Sequence, residues 1–264
     1  MNACKSPQDE LNARTYFRGD VAQSYMDERL TRVEAMLLLR NQPAFAGKDV
    51  LDIGVGTGRT SIYLAPLARR YEGIDYSPSM VRFMQATRPE IPVRLADMRD
   101  LSEFSDRSFD FVFAPSNVLD AVGHEDRLHA LGEFRRVLRA DGTLVFSSHN
   151  RLFLQAEAGP RLRWTPLDPV RQLRGIGIFV RQLNNHRRYR TMRSSHGDYA
   201  LLTDEGHDFA LLHYYVGQAE QRAQLERSGF EVLDVSDTEG RILDRGDPAR
   251  SSASLAYTSR RRPD

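Results

Sequence analysis

From Lys48 onward the chain alternates short apolar runs with amphipathic segments, and no other feature limits its fold as strongly. The segments read "DVLDI", "TSIYLAPLARR", "YEGID", "SPSMVRFMQAT", "VRLAD", "SFDFVFA", "EDRLHALGEFRRVL" and "GTLVFSSH". Strand, helix, strand, helix at this spacing implies crossover units, because parallel neighbours need a long connection that returns across a sheet face. The predicted class is α/β: a doubly wound, mostly parallel sheet covered on both faces. Ligands of such sheets bind beyond the carboxyl ends of the strands, so the residues that follow each apolar run are the ones to read for chemistry.

The flanks divide the chain further. Residues 1–47 are predicted as a helical cap: Asp20 with Gln23 three positions on resembles a capping box, and Val21, Tyr25, Val33 and Leu37 suit one buried stripe of a helix ending near Pro43. Residues 48–149 form the core. Residues 150–212 break the pattern, with "AGPRLRWTPLDP" followed by "IGIFVRQL", "RRYRTMR", "YALLT" and "FALLHYY", and read as a β-rich insertion of hairpins that acts as a lid over the pocket. Residues 213–264 return to the core sheet, with Gly229 as a helix stop and "SLAYTSR" as a last strand; the tail "SRRRPD" reads as disordered.

Composition narrows function by exclusion. Thirty-seven basic residues nearly cancel thirty-six acidic ones, so no global field steers the protein toward nucleic acid or an anionic membrane. The single cysteine, Cys4, cannot close an internal disulfide, no apolar run has the length of a membrane span, and the polar start lacks the pattern of a signal peptide. A cytoplasmic protein without a membrane partner is expected.

The turn after the first strand, "VLDIGVGTG", brings backbone close to a ligand. A dinucleotide fingerprint needs glycine at its sixth position, where this chain has Arg59, and no Gly-Lys-Ser/Thr follows to make a phosphate loop. Asp52, just before the first glycine, would repel a pyrophosphate and suits a ligand bearing positive charge. Asp75 closes the second strand, where a carboxylate can accept from both hydroxyls of a ribose, and Asp97 closes the third, where it can accept from an adenine amino group beside Met98. Adenine, ribose, a cation and no phosphate describe S-adenosylmethionine.

At these positions the chain resembles the class I S-adenosylmethionine-dependent methyltransferases. "VLDIGVGTG", "GIDYSPSM", "LADMRDL" and "FDFVFAPSNVLDAV" are similar to their first four motifs in order, over Lys48 to about Asn150 and again around Gln218 to Asp234. The resemblance implies a Rossmann-like methyltransferase fold. It also implies that Asp52 and the backbone of Gly54, Gly56 and Gly58 hold the methionine moiety, Asp75 the ribose, and Asp97 with Met98 the adenine. Thr57, Tyr76 and Met80 complete the cofactor set, and Ser116 and Asn117 border the sulfonium.

The methyl acceptor is less constrained. The loop after the fourth strand reads "APSN" rather than the Asp/Asn-Pro-Pro-aromatic run of adenine-amino methyltransferases, and no cysteine stands there for cytosine-C5 chemistry. No metal-ligand constellation is visible. A hydroxyl or protonated-amine acceptor needs a base, for which His149 at the end of the fifth strand is the first candidate, with His213 and Tyr214 beside it. The basic stretch "NNHRRYRTMR" keeps an RNA- or protein-directed enzyme as an alternative, but a small-molecule acceptor is favoured and nucleic acid disfavoured. Two readings of other classes stand beside it: an NAD(P)-dependent oxidoreductase, and a module that binds S-adenosylmethionine without turning it over.

Overall fold

The computed structural model of the chain describes residues 8, 10–12, 29–162 and 169–263. Each predicted core strand forms. Strands β1 (Asp49–Ile53), β2 (Arg70–Asp75), β3 (Val93–Leu95), β4 (Phe109–Ala114) and β5 (Leu138–Asn150) are joined over the sheet by α2 (Ser61–Leu64), α3 (Pro78–Thr87) and α4 (His124–Val137). Helix α1 (Arg32–Phe45) precedes them. The strand order is β3-β2-β1-β4-β5, with parallel neighbours throughout, so β1 lies between β2 and β4. The chain direction of the connections reverses there, which opens a crevice at the carboxyl end of β1.

Alternation along each strand builds two cores. Leu51 and Ile53, Val112, and Leu144 and Phe146 face Ala130, Leu131, Phe134 and Val137 of α4. Val50, Phe111, Phe113 and Val145 face Leu37, Leu38 and Phe45 of α1 with Val81 and Met84 of α3. A strand buried on both faces must be apolar at nearly every position, which is why "DVLDI" and "FDFVFA" read as continuous runs.

The second half completes the sheet. After α5 (Pro169–Arg188) come β6 (Ser194–Ser195), β7 (Tyr199–Leu202), β8 (His213–Val216), α6 (Gln218–Arg227), β9 (Phe230–Ser236) and β10 (Ser254–Arg261). β10 runs antiparallel between β5 and β9. Because β4 pairs with β5 only as far as Phe146, β8 occupies the edge of β5 that β4 leaves free and pairs at His149 and Asn150. β7 and β6 then extend the sheet antiparallel from β8.

Two expectations change and a third is not reached. The capping box at Asp20 and Gln23, with Val21 and Tyr25, lies outside the described residues; α1 is opened by a capping box of Thr31 and Glu34 and carries Pro43 within its last turn. The insertion is not hairpins throughout: "IGIFVRQL" belongs to the 20-residue helix α5. Its alternation over five residues was too short to separate a period of 2 from one of 3.6. Gln182 and Arg181 of that helix bind Asp208, and Asn185 donates to the Asp208 carbonyl. Finally, the start of the tail is ordered: Arg261 ends β10, is 3% exposed and donates to the Leu138 carbonyl. Among the described residues no helix is long and apolar enough to cross a membrane.

Candidate active site at the carboxyl edge of the sheet

The glycine turn is shaped by backbone demands. Gly54, Gly56 and Gly58 all have positive φ, of 71°, 55° and 84°. A Cβ on Gly54 would strike Val118 at 2.5 Å and one on Gly58 would strike Met84 at 2.6 Å, whereas a Cβ on Gly56 would meet nothing within 4 Å. Two glycines therefore allow close packing, and the third faces open space where a ligand can approach the backbone.

Asp75 fixes that turn from β2. Its carboxylate, 6% exposed, accepts from Gly56 N–H and Ser77 N–H, each at 2.8 Å. Burial raises its pKa, and the backbone donors of Ser77, Gly56 and Tyr76 oppose the rise. Tyr76 and Thr57 are half-buried beside the turn and Met80 is buried in the first turn of α3. Asp97 is gripped by Arg99, whose Nη2 stands 2.7 Å from Asp97 Oδ2 while Nη1 reaches Asp126 at 2.8 Å. A ligand amino group at Asp97 would share the carboxylate with that guanidinium.

Two residues do not stand where the sequence puts them. Asp52 is fully buried; its Oδ2 accepts from Ser61 Oγ and Tyr71 OH, both at 2.7 Å, while its buried Oδ1 makes no hydrogen bond, so the side chain lies beneath the turn. Burial pushes its pKa up to about 6 against the opposing pull of the two hydroxyls. Met98, beyond the Leu95 end of β3, packs into the core with Leu101 and Phe104 rather than over a ring, where its apolar side chain is removed from water. Arg59, which replaced the sixth glycine, has a definite partner: its Nη2 binds Glu34 of α1 at 2.6 Å, and Ser116 Oγ donates to the same carboxylate oxygen at 3.1 Å. The cap helix is thereby tied to the glycine turn and to the loop after β4.

That loop carries the link to the fifth strand. Ser116 and Asn117 have positive φ. Val118 sits against Gly54, Asn117 N–H donates to Ser147 Oγ at 2.8 Å, and the Asn117 amide lies 3.2 Å from His149 Nε2. His149 Nδ1 stands 2.7 Å from Asp120 Oδ2, which also accepts from the His149 backbone N–H at 2.6 Å. A carboxylate can only accept, so the proton sits on Nδ1 and the Nε2 lone pair faces the Asn117 side of the site. Asp120 itself is fully buried, with Arg127 at 2.5 Å and Ser148 Oγ at 2.7 Å on its other oxygen. Burial alone would raise this carboxyl; the charge of Arg127 and the hydrogen bonds from His149 outweigh it and hold the pKa below its ordinary value.

β8 delivers the next pair. Successive side chains point to opposite faces, so His213 and Tyr215 share one face and Tyr214 takes the other. His213 Nδ1 (2.7 Å) and Tyr215 OH (2.8 Å) both reach Asp204 Oδ2, and the rings of His213 and Tyr215 each lie 4.8 Å from that of His149. Tyr214 is instead fully buried, bonded to His124 and Gln224 and lying over the Arg127 guanidinium at 4.5 Å, which removes it from the reacting edge. Sequence reading missed Asp120, Arg127 and Asp204. It also found no metal-ligand set, yet donor atoms of His149, Asp204 and His213 lie within 4.8 Å of one another.

Comparison with known proteins fits this geometry. Residues 50–142 match the family model described as a methyltransferase domain. A probable S-adenosylmethionine-dependent methyltransferase of Mycolicibacterium smegmatis is 32% identical over 124 residues, 47% of this chain and 45% of that protein. Demethylmenaquinone methyltransferase of Tropheryma whipplei is 33% identical over 150 residues, 54% of this chain and 58% of that protein. The chain thus spans about half the length of the curated relatives it matches. Among solved structures, Burkholderia thailandensis 1,6-didemethyltoxoflavin-N1-methyltransferase, with 1,6-didemethyltoxoflavin and S-adenosylhomocysteine bound, superposes over all of this chain and 94% of its own, with TM-score 0.58 and 16% identity. The CcbJ methyltransferase of Streptomyces caelestis does so over 94% and 98%, with TM-score 0.59 and 18% identity.

Proposed function

We propose, from the match of residues 50–142 to a methyltransferase-domain model and from the fold shared with S-adenosylmethionine-dependent methyltransferases, that the protein moves a methyl group to an oxygen or nitrogen of a small molecule. The observation that carries this reading is the continuity between the open Gly56 turn and His149, linked by Val118 and Asn117 of a single loop. A cofactor over the turn and an acceptor at His149 would be neighbours.

The residues fit the cofactor. The N–H groups of the turn, the space over Gly56, and Asp75 and Asp97 at consecutive strand ends would hold its polar parts, with Thr57, Tyr76 and Met80 around them and Ser116 and Asn117 toward the acceptor. Asp52 acts from below, by holding Ser61 and Tyr71 in place. When bound, S-adenosylmethionine supplies a methyl carbon on a positively charged sulfur, which an acceptor lone pair displaces in line to leave S-adenosylhomocysteine.

The protein's own part is alignment and proton removal. His149, with Nδ1 held by Asp120, offers Nε2 to the proton of the acceptor. Arg127 keeps Asp120 charged and therefore accepting. Asp204, from the 150–212 insertion, brings His213 and Tyr215 to the same place, so the insertion supplies a wall of the acceptor pocket. Relatives named for a quinone and for an N-heterocycle support a small ring acceptor.

Calorimetric titration with S-adenosylmethionine, S-adenosylhomocysteine and NADH tests the cofactor, and release of S-adenosylhomocysteine across an acceptor panel tests transfer. Binding of NADH alone would make the protein an oxidoreductase; binding of the first two with no release for any acceptor would make it a non-catalytic binder.

A further inference from the structure

Two histidines and a carboxylate meet at the acceptor side of the site, and the spacing exceeds what a simple base requires. His149 Nε2 is 3.9 Å and His213 Nδ1 2.7 Å from the same oxygen, Asp204 Oδ2; the His213 Nδ1–H donates to that oxygen, and a cation would take the place of its proton, which is released to solvent. Bonds of about 2.0–2.2 Å to one cation place neighbouring donors roughly 3–3.5 Å apart; these two distances fall either side of that spacing, and the three donors, all within 4.8 Å of one another, would draw together by side-chain rotation to share an ion. Imidazole, imidazole and carboxylate form a donor set that catalytic sites use for first-row transition metals, and three protein ligands leave a coordination position open.

The surroundings are those of a ligand set. His149 donates its remote nitrogen to Asp120, the arrangement that fixes a metal-binding imidazole with Nε2 facing the ion. Asp120 is fixed in turn by Arg127 and Ser148, and Asp204 by Tyr215. The side chains of His149 and Asp204 are 17% and 18% exposed and that of His213 is 8% exposed, so the cluster keeps one accessible side. Asn117 Oδ1, next to His149 Nε2, is buried and makes no hydrogen bond; amide oxygen and nitrogen are interchangeable by a flip, which would turn that oxygen toward an ion.

We propose that His149, Asp204 and His213 form a binding site for one divalent first-row transition-metal cation, with an open position for the acceptor heteroatom. The role of the ion rests on the methyl-transfer reading, but its binding does not. At that position it would lower the pKa of an acceptor hydroxyl, whose proton then leaves to solvent and whose oxygen lone pair makes the bond to the methyl carbon. The Nε2 lone pair of His149 would then be spent on the ion, and His149 would orient the acceptor through it.

Full-length protein stripped with chelator is titrated with Co2+ while visible absorption is followed, and the same preparation is titrated with S-adenosylhomocysteine. One saturable d–d absorption at one equivalent, displaced by Zn2+, is expected; Asp204→Asn and His213→Ala abolish it, and Asp120→Asn weakens Co2+ binding by about 10- to 100-fold through the outer hydrogen bond. Cobalt X-ray absorption of the wild-type protein adds a readout that no variant's folding can affect, and two-imidazole scattering is expected. Absence of a saturable band, a band that survives in folded His213→Ala protein, or scattering without imidazole overturns the site. S-adenosylhomocysteine binding without a cobalt band refutes the cation and leaves methyl transfer standing; a cobalt band without S-adenosylhomocysteine binding does the reverse.

Discussion

His149 Nδ1 and its backbone N–H both converge on Asp120 Oδ2, at 2.7 and 2.6 Å, so one buried carboxylate sets the ring's orientation and its tautomer together. Every group around Asp120 is a donor: His149 twice, Ser148 and Arg127. An amide there cannot accept from all of them. His149→Ala is expected to lower turnover by about 10²-fold or more while S-adenosylmethionine affinity stays nearly intact, and Asp120→Asn is expected to follow it. Steady-state kinetics paired with calorimetry checks both; wild-type turnover in His149→Ala would remove His149 from the reaction.

Arg127 makes the same network a stability element. It is fully buried and holds the Leu119 carbonyl, Asp120, Ser148 Oγ and Gln221 Oε1. Arg127→Met keeps much of the volume but leaves the Asp120 charge without its cation in a dry interior, so it should cost about 3–5 kcal/mol of folding stability. Urea unfolding at neutral pH measures this, and a loss below about 1 kcal/mol would show that water or His149 compensates Asp120.

The cofactor half of the site is tested at Asp75. Its oxygens hold the Gly56 and Ser77 amides, so Asp75→Ala both frees the turn and removes the acidic group nearest a ribose. Affinity for S-adenosylmethionine should fall by about 1–3 kcal/mol; unchanged calorimetric affinity would mean that the turn binds without it. Gly56→Val adds a branched side chain at φ 55° in the open space over the turn and should abolish binding, whereas the new Cβ meets no atom within 4 Å, so its cost to folding is backbone strain of about 1–3 kcal/mol.

How far the sequence revealed this site depended on whether a residue's role is local. Glycines at strand-to-helix turns and aspartates after apolar runs follow from neighbouring residues, and the succession of β1 to β5 with helices between them follows from alternation, so these were legible; their order within the sheet was not. Asp120 lies on a single helical turn, Val118–Ala121, and Asp204 lies in a loop before another; neither position has periodicity or a motif. Their importance comes from partners 29 and 9 residues away. His213 and Tyr214 were nominated together as neighbours in sequence, yet a strand sends neighbours to opposite faces, which brought His213 to His149 and took Tyr214 to Arg127. The same short-range ambiguity read α5 as strands. Asp52 was misplaced because its charge suggested a charged ligand, whereas the carboxylate is buried with Ser61 and Tyr71 on one oxygen.

Asp52 also yields a pH dependence with a definite sign. Burial raises its pKa from 3.8 to about 6, so the folded state holds this proton more tightly than the unfolded chain does. The stabilisation is fully present below about pH 4 and is lost as pH rises through 6, in total about 3 kcal/mol at 1.36 kcal/mol per pKa unit. Asp49 runs the other way: hydrogen bonds from Arg69 and Arg139 outweigh burial and lower its pKa to about 2, so its contribution exists above pH 4 and disappears as pH falls toward 2. Above about pH 5 the two are separable, because Asp49 is by then charged in both states while Asp52 still titrates. Asp52→Asn should therefore flatten the decline in unfolding free energy over that window while leaving the acid side unchanged. Urea midpoints at half-unit steps from pH 4 to 7 measure it, and a variant with the wild-type slope would show that Asp52 titrates at its ordinary value.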